Sequence, residues 1–257
     1  HNELSVPAVA SYALGEDYHN IIPVLLREFI HWLESKIDFV KIQYKLYTDT
    51  GPILERSYAS MAGLGWIGKN ACLIIPGEGS YFFLAEILIN LYFSPDQQVE
   101  KDFCGNCRRC IDSCPTDCIQ PNRTIDSAKC ISYLTIENKK EIPDFLRDKT
   151  KNWVFGCDIC QQVCPWNSTF SKMPEHEYFL PKNQLSDLKY ELLSNLSEPI
   201  FNQFFNNSPL KRTKFKGFKR NMVNAIGNSK NSIFLGLLMD LLEKETDLIL
   251  IEQIQWA

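Results

Sequence analysis

Two cysteine runs decide how this chain is read. They are Cys104-Gly-Asn-Cys107-Arg-Arg-Cys110-Ile-Asp-Ser-Cys114-Pro115 and Cys157-Asp-Ile-Cys160-Gln-Gln-Val-Cys164-Pro165. A cysteine every third residue, a last step of four and then proline is the spacing of bacterial-type iron–sulfur ligation. A loop of this kind aims three thiolates at one cubane, and the cysteine before proline reaches the other cluster. Cys104, Cys107 and Cys110 are therefore expected to share one [4Fe–4S] cluster with Cys164. Cys114, Cys157 and Cys160 belong to a second cluster and need one more ligand. Cys118 follows Cys114 so closely, just past Pro115, that a swing back to the same cluster is strained. Cys130 heads a helical stretch, where backbone N–H groups favour a thiolate. The fourth ligand is assigned to Cys130, and Cys72 and Cys118 are read as structural. Zinc is the competing reading. Zinc sites usually pair separated CxxC motifs or Cys with His, and none of the four histidines lies inside these runs.

The composition agrees with a redox protein in a reducing setting. The chain has 257 residues, 45% hydrophobic and 23% charged, enough for one large domain or two smaller ones. A formal net charge of −4 excludes a generic polyanion binder, so any nucleic-acid surface is a local patch. Ten cysteines without a signal peptide or a membrane-length apolar run point to the cytoplasm, where clustered cysteines bind metal more often than they form disulfides. The chain opens at His1 and stops at Trp256-Ala257 inside a helical pattern, so a fragment of a longer protein is expected.

Upstream, the Val9-Ala-Ser-Tyr12 stretch reads as a short strand. Ile21–Ser35 has the apolar spacing of a helix, Asp38–Asp49 alternates like a strand, and Ile53–Met61 is helical again. Gly63-Leu-Gly65-Trp-Ile-Gly68 is formally a GxGxxG. A helix precedes it and the strand-like Ala71–Ile75 follows, the wrong order for dinucleotide binding, so a tight glycine turn is expected. Tyr81–Leu91 is a second apolar strand. Downstream, helices are expected at Phe218–Gly227, Ser232–Leu242 and Asp247–Trp256, a pattern like the start of a HEAT-type solenoid.

With both runs in place, the chain resembles the tRNA epoxyqueuosine reductase family. The resemblance rests on Tyr12-Ala-Leu-Gly-Glu-Asp-Tyr-His19, Thr48-Asp49-Thr-Gly-Pro-Ile-Leu-Glu-Arg56, Gly63-Leu-Gly-Trp-Ile-Gly-Lys-Asn70, Cys130-Ile-Ser-Tyr-Leu-Thr-Ile-Glu137, Phe155–Asn167 and Ser208-Pro-Leu-Lys-Arg-Thr213. It implies an α+β chain in three parts. These are a partial cobalamin-binding α/β domain at 1–95, a ferredoxin-like module with two [4Fe–4S] clusters at 96–170, and a partial HEAT-like helical region at 171–257. It implies reduction of epoxyqueuosine to queuosine in the tRNA anticodon loop, the last step of that modification.

By the same resemblance Asp49 is the proton donor, although an aspartate before Thr-Gly-Pro is also an ordinary turn residue. Tyr12, Leu73, Ser132, Glu137 and Asp158 are the candidates for cobalamin contact. Electrons from an external one-electron donor are expected to enter at the Cys114/Cys130/Cys157/Cys160 cluster, pass to the other and then reach cobalt. The basic stretch Lys211–Arg220, with Phe215 or Phe218 to stack a base, is the candidate tRNA contact. A monomer with no membrane attachment is expected. The competing functions are another corrinoid iron–sulfur reductase, such as a reductive dehalogenase, and a ferredoxin-type electron carrier. The first lacks the basic helical tail and the second has no need of residues 1–95.

Overall fold

The computed structural model describes residues 6–37, 40–97, 102–182, 185 and 188–257. Helices and short strands alternate, in keeping with an α+β architecture, and among the described residues the strands form three two-stranded ladders. Strand β1 (Ala8–Val9) pairs in parallel with β6 (Trp153–Phe155), which ties the start of the chain to the second cysteine run. The expected strand over Val9–Tyr12 is cut short. Ser11 N donates to Asp158 Oδ2 at 2.6 Å instead of to a neighbouring strand, and Ser11–Ala13 turns as a 3-10 helix.

Helix α1 (Tyr18–Glu34) begins earlier than its apolar spacing suggests, because Asp17 caps it by accepting from His19 N at 3.1 Å. Strand β2 (Tyr44–Tyr47) pairs antiparallel with β5 (Glu86–Ile89). Asp38 and Phe39, the beginning of the expected strand, lie outside the described residues. Helix α2 (Glu55–Met61) leads into the antiparallel pair β3 (Trp66–Ile67) and β4 (Leu73–Ile74). The glycine turn between helix and strand is as expected. Gly63 has φ 81°, and a Cβ on Gly65 would fall 2.1 Å from Ile74 O.

The cysteine region carries the one-turn helices α3 (Arg109–Asp112) and α6 (Ile159–Gln162), then α4 (Ile131–Ile136), α5 (Asp144–Arg147) and α7 (Pro165–Phe170). Cys130 is the N-cap of α4, the position expected of it. Helix α8 (Glu198–Phe204) precedes α9 (Lys214–Ser229), α10 (Leu235–Lys244) and α11 (Leu248–Trp256). The largest apolar core gathers Phe155, Tyr190, Phe201, Phe205, Phe218 and Met222. It joins the cysteine region to the helical tail through α9. Among the described residues no helix is long and apolar enough to cross a membrane.

Candidate functional site

The cysteines of the two runs gather in two places. Cys104 and Cys164 pack with Trp66 and Trp166 in one apolar cluster. Cys104 and Cys107 lie near enough to both Cys110 and Cys164 to raise their thiols, after burial. Cys114, Cys130, Cys157 and Cys160 line one cavity with apolar walls from Ile119, Ile125, Ile131 and Ile159. Both donor sets have the soft thiolate chemistry that cluster iron takes.

Cys118 is not the isolated core residue the sequence suggests. It lines the second cavity, and its Sγ lies 3.4 Å from Cys114 Sγ. Its thiol hydrogen-bonds the Cys114 and Cys130 sulfurs, which lowers these thiols to about 5 and about 6. Cys72 likewise stands next to one of these thiols, within hydrogen-bonding reach of the Cys160 sulfur. Burial pushes the Cys157 thiol up to about 12, so proton release would accompany metal binding at that position.

Asp49 stands at the end of β2 in the left-handed region, with φ 58°. Aspartate tolerates this conformation better than most residues. The tip is held by Thr48 Oγ1 donating to Leu84 O at 3.0 Å and by Asp49 N donating to Glu55 Oε1. Three side chains converge on Asp49 Oδ2. Tyr18 Oη donates at 2.9 Å, Arg212 Nη1 donates at 3.1 Å, and His19 Nε2 lies 3.4 Å away. Arg212 Nε also pairs with Glu137 Oε1 at 2.6 Å. His19 Nδ1 is 2.8 Å from Asp17 Oδ1. The carboxylate is 45% exposed, so it is open to a ligand while its orientation is fixed.

Of the residues expected around a cofactor, Tyr12, Glu137 and Asp158 belong to this neighbourhood. Burial and the charges of Asp49, Asp158 and Glu137 raise the Tyr12 phenol, with Arg212 opposing. Tyr12 meets Tyr18 edge-on at 6.0 Å. Asp158 is buried and engaged by Ser11 N and Oγ, so it also anchors the turn that carries Tyr12. Leu73 is buried in β4, and Ser132 is half-buried on α4. Gly156, with φ 68°, lets the second cysteine run approach Tyr12, since a Cβ there would lie 3.5 Å from Tyr12 Cε1 and 2.5 Å from Ala10 Cβ. The Tyr12 ring and Cys157 pack on the same small apolar cluster. Tyr12 thus neighbours both Tyr18 of the Asp49 group and the Cys157 side of the Cys114/Cys130/Cys157/Cys160 cavity.

The basic stretch divides. Lys211 and Lys214 are exposed, but Phe218 and Arg220 are buried at 0% and 2% exposure and cannot meet a base or a phosphate. Arg220 instead donates to the Leu134, Asn138 and Lys140 carbonyls. Lys216 pairs with Asp247 and Lys219 with Glu245. Arg212 turns inward to Asp49 and Glu137. The sequence reading missed Tyr18, His19 and the inward role of Arg212. Asp17-x-His19 at a helix start was the one legible signal, because an N-cap aspartate there also faces the imidazole.

Comparisons with known proteins show the family. The model described as "4Fe-4S double cluster binding domain" matches residues 103–167, and that described as "Epoxyqueuosine reductase QueG, DUF1730" matches residues 2–50. An epoxyqueuosine reductase of Cyclobacterium marinum is 49% identical over 214 residues, 83% of this chain and 67% of that protein. The structure of epoxyqueuosine reductase from Bacillus subtilis superposes with a TM-score of 0.89 at 29% identity, covering 100% of this chain and 67% of that one. A crystal structure of an epoxyqueuosine reductase with a tRNA-Tyr epoxyqueuosine-modified stem loop superposes with a TM-score of 0.80 at 28% identity, covering 98% and 76%. The chain thus spans about two thirds of the length of the first two of these relatives. With the two cysteine sets and the Asp49 centre, these likenesses establish that the chain belongs to the epoxyqueuosine reductase family.

Proposed function

We propose that this protein reduces epoxyqueuosine to queuosine in the tRNA anticodon loop, with cobalamin as catalytic cofactor and two [4Fe–4S] clusters as its electron path. The observation that carries this reading is the convergence of Tyr18, Arg212 and His19 on Asp49 Oδ2 in a fold that also gathers five thiols round one cavity. Cys104, Cys107, Cys110 and Cys164 would hold one cluster and Cys114, Cys130, Cys157 and Cys160 the other. The donors around Asp49 suit a corrin, whose amide side chains both give and accept hydrogen bonds. Tyr12, Glu137 and Ser132 would meet it by their polar atoms and Leu73 by its strand backbone. When bound, cobalamin supplies a reduced cobalt centre for the epoxide carbon.

The protein's own task is then the proton and the geometry. Asp49 delivers a proton to the epoxide oxygen as the C–O bond opens. Tyr18 and Arg212 hold the carboxyl in one orientation, and Glu137 holds Arg212. Because Tyr12 and Gly156 lie beside Cys157 and Asp158, the Cys114/Cys130/Cys157/Cys160 cluster is the one we assign next to the cofactor. The domain reading stands as proposed from the sequence, with residues 1–95, 96–170 and 171–257 for cofactor, clusters and RNA. A cytoplasmic monomer taking electrons from an external carrier accords with a tRNA substrate. Lys211 and Lys214 remain the exposed cations for phosphate contact.

The test is mass analysis of tRNA from a strain lacking this protein, with reconstitution in vitro. Epoxyqueuosine should accumulate in the strain. The purified protein should show a corrin absorption band at stoichiometric loading and convert the modified stem loop when reduced. A strain with normal queuosine would overturn the reading. Neither a reductive dehalogenase nor a simple electron carrier is favoured by the family membership.

A further inference from the structure

The proton balance of this reaction singles out a group that the acid role of Asp49 leaves unused. Removing an epoxide oxygen as water consumes two electrons and two protons, leaving the alkene. One carboxylic acid holds one proton, so Asp49 must be recharged within each turnover. Resting on the function proposed above, we propose that Asp17 and His19 form the relay that hands Asp49 its second proton within the turnover.

The geometry carries this. His19 Nδ1 is 2.8 Å from Asp17 Oδ1, and Nε2 faces Asp49 Oδ2 at 3.4 Å. His19 Nε2 is shielded from solvent and makes no hydrogen bond, an orphaned buried nitrogen directed at the acid. Its side chain as a whole is 24% exposed. Asp17 is rigid because it also caps α1 through His19 N at 3.1 Å, and its own N–H is held by Asn207 O at 3.0 Å. An aspartate at Nδ1 fixes the tautomer and orientation of an imidazole and favours its protonated form during transfer, as in hydrolase triads. The ring is further fixed by stacking on Tyr18, 4.1 Å between centroids.

The charged and titratable groups around the relay are Asp17 and Asp49 in contact with His19, Tyr18 and Arg212 bonded to Asp49, and Glu137 behind Arg212. The proton on Nε2 of the imidazolium passes to the Asp49 carboxylate, while the one on Nδ1 stays shared with Asp17. Before the next substrate binds, Nε2 regains its proton by way of the Asp49 carboxyl, which is 45% exposed and takes one from solvent. The two electrons come from the one-electron donor that the reductase uses in any case. A separation of 3.4 Å is long for transfer, but such contacts commonly shorten when substrate binds.

His19→Ala tests the relay in the cobalamin-loaded enzyme with an epoxyqueuosine stem loop. Turnover should fall about a hundredfold, as is typical for a lost acid–base group, with KM and iron content unchanged. Added imidazole should restore it, because a free imidazole fits the cavity left by the ring. Nitrogen-labelled histidine should show the Nδ1–H tautomer at His19, and Asp17→Asn should abolish it in NMR spectra. Turnover within about twofold of the unaltered enzyme, or a loss that imidazole does not restore, overturns the relay. Failure of the unaltered enzyme to convert the stem loop would instead strike at the function itself.

Discussion

Arg212 Nη1 lies 3.1 Å from Asp49 Oδ2, and the two residues are 163 positions apart in the chain. The contact joins the strand tip of β2 to the turn at Pro209–Thr213, which Ser208 caps ahead of α9. Arg212 also holds Glu137, so one guanidinium joins three segments far apart in sequence at the candidate acid. Exposed ion pairs contribute only about 0.2–1 kcal/mol. Arg212→Gln is therefore expected to leave thermal stability nearly unchanged while lowering turnover about tenfold or more through lost positioning. Arg212→Lys should not recover it, because an ammonium cannot span both carboxylates as a fork does. Equal turnover in the variant and the parent would show that the bridge is only structural.

Asp49→Asn keeps the shape and the Tyr18 contact but cannot give up a proton. Turnover should drop by about 10²–10⁴-fold. Cobalamin absorption and iron content should match the parent. Measured single-turnover conversion at the parental rate would remove Asp49 from the acid role.

Iron analysis separates ligands from neighbours. Cys130→Ser should lower iron from about eight to about four per chain, one cluster's worth. Cys118→Ala should keep about eight, because Cys118 touches the ligand sulfurs without being needed to complete either set of four. It should nevertheless change the reduction potential of one cluster, since hydrogen bonds to cluster sulfur tune it. Loss of a cluster in Cys118→Ala would exchange the roles of Cys118 and Cys130.

The basic stretch should respond in two different ways. Lys211→Glu with Lys214→Glu should weaken stem-loop binding and flatten its salt dependence without a stability change. Arg220→Ala should instead destabilise the fold by about 2–4 kcal/mol, since it strands buried carbonyls of Leu134, Asn138 and Lys140. Chemical denaturation and salt-titrated binding distinguish the two.

Glu86 gives a pH signature. Burial and the neighbouring Glu55 raise its carboxyl to about 7. The folded state thus binds its proton more tightly than the unfolded chain does. The associated stability is fully present below about pH 4.5, the ordinary glutamate value, and is lost as pH rises through about 7. Glu86→Gln should remove that part of the decline, read as melting temperature between pH 5 and 8, each approximate limits of the window. An unchanged slope would show that the two carboxylates do not share a proton.

The sequence alone determined the redox core and most elements. Cysteine spacing is local and period-bound, so seven candidate ligands followed from Cys104–Pro115 and Cys157–Pro165, whereas the choice between Cys118 and Cys130 for the eighth lies outside the runs. The helix–glycine turn–strand order around Gly63 and Gly65 was equally legible, because only glycine fits so close to Ile74 O. The helical tail followed from apolar spacing.

What only the tertiary structure decided is where polar side chains point. Asn221, Asn224 and Asn228 lie buried on α9. They hydrogen-bond Thr135 O, Val154 O, Arg147 O and Lys151 O, pinning that helix to the cysteine region. No apolar periodicity reports such a stripe. The same holds for Arg212, Arg220 and His19, whose partners lie on other elements or across the Asp49 turn. Spacing determines which ligands a local loop can offer. The candidate site around Asp49 depends on contacts between segments far apart in sequence, and only packing of the core brings those segments together.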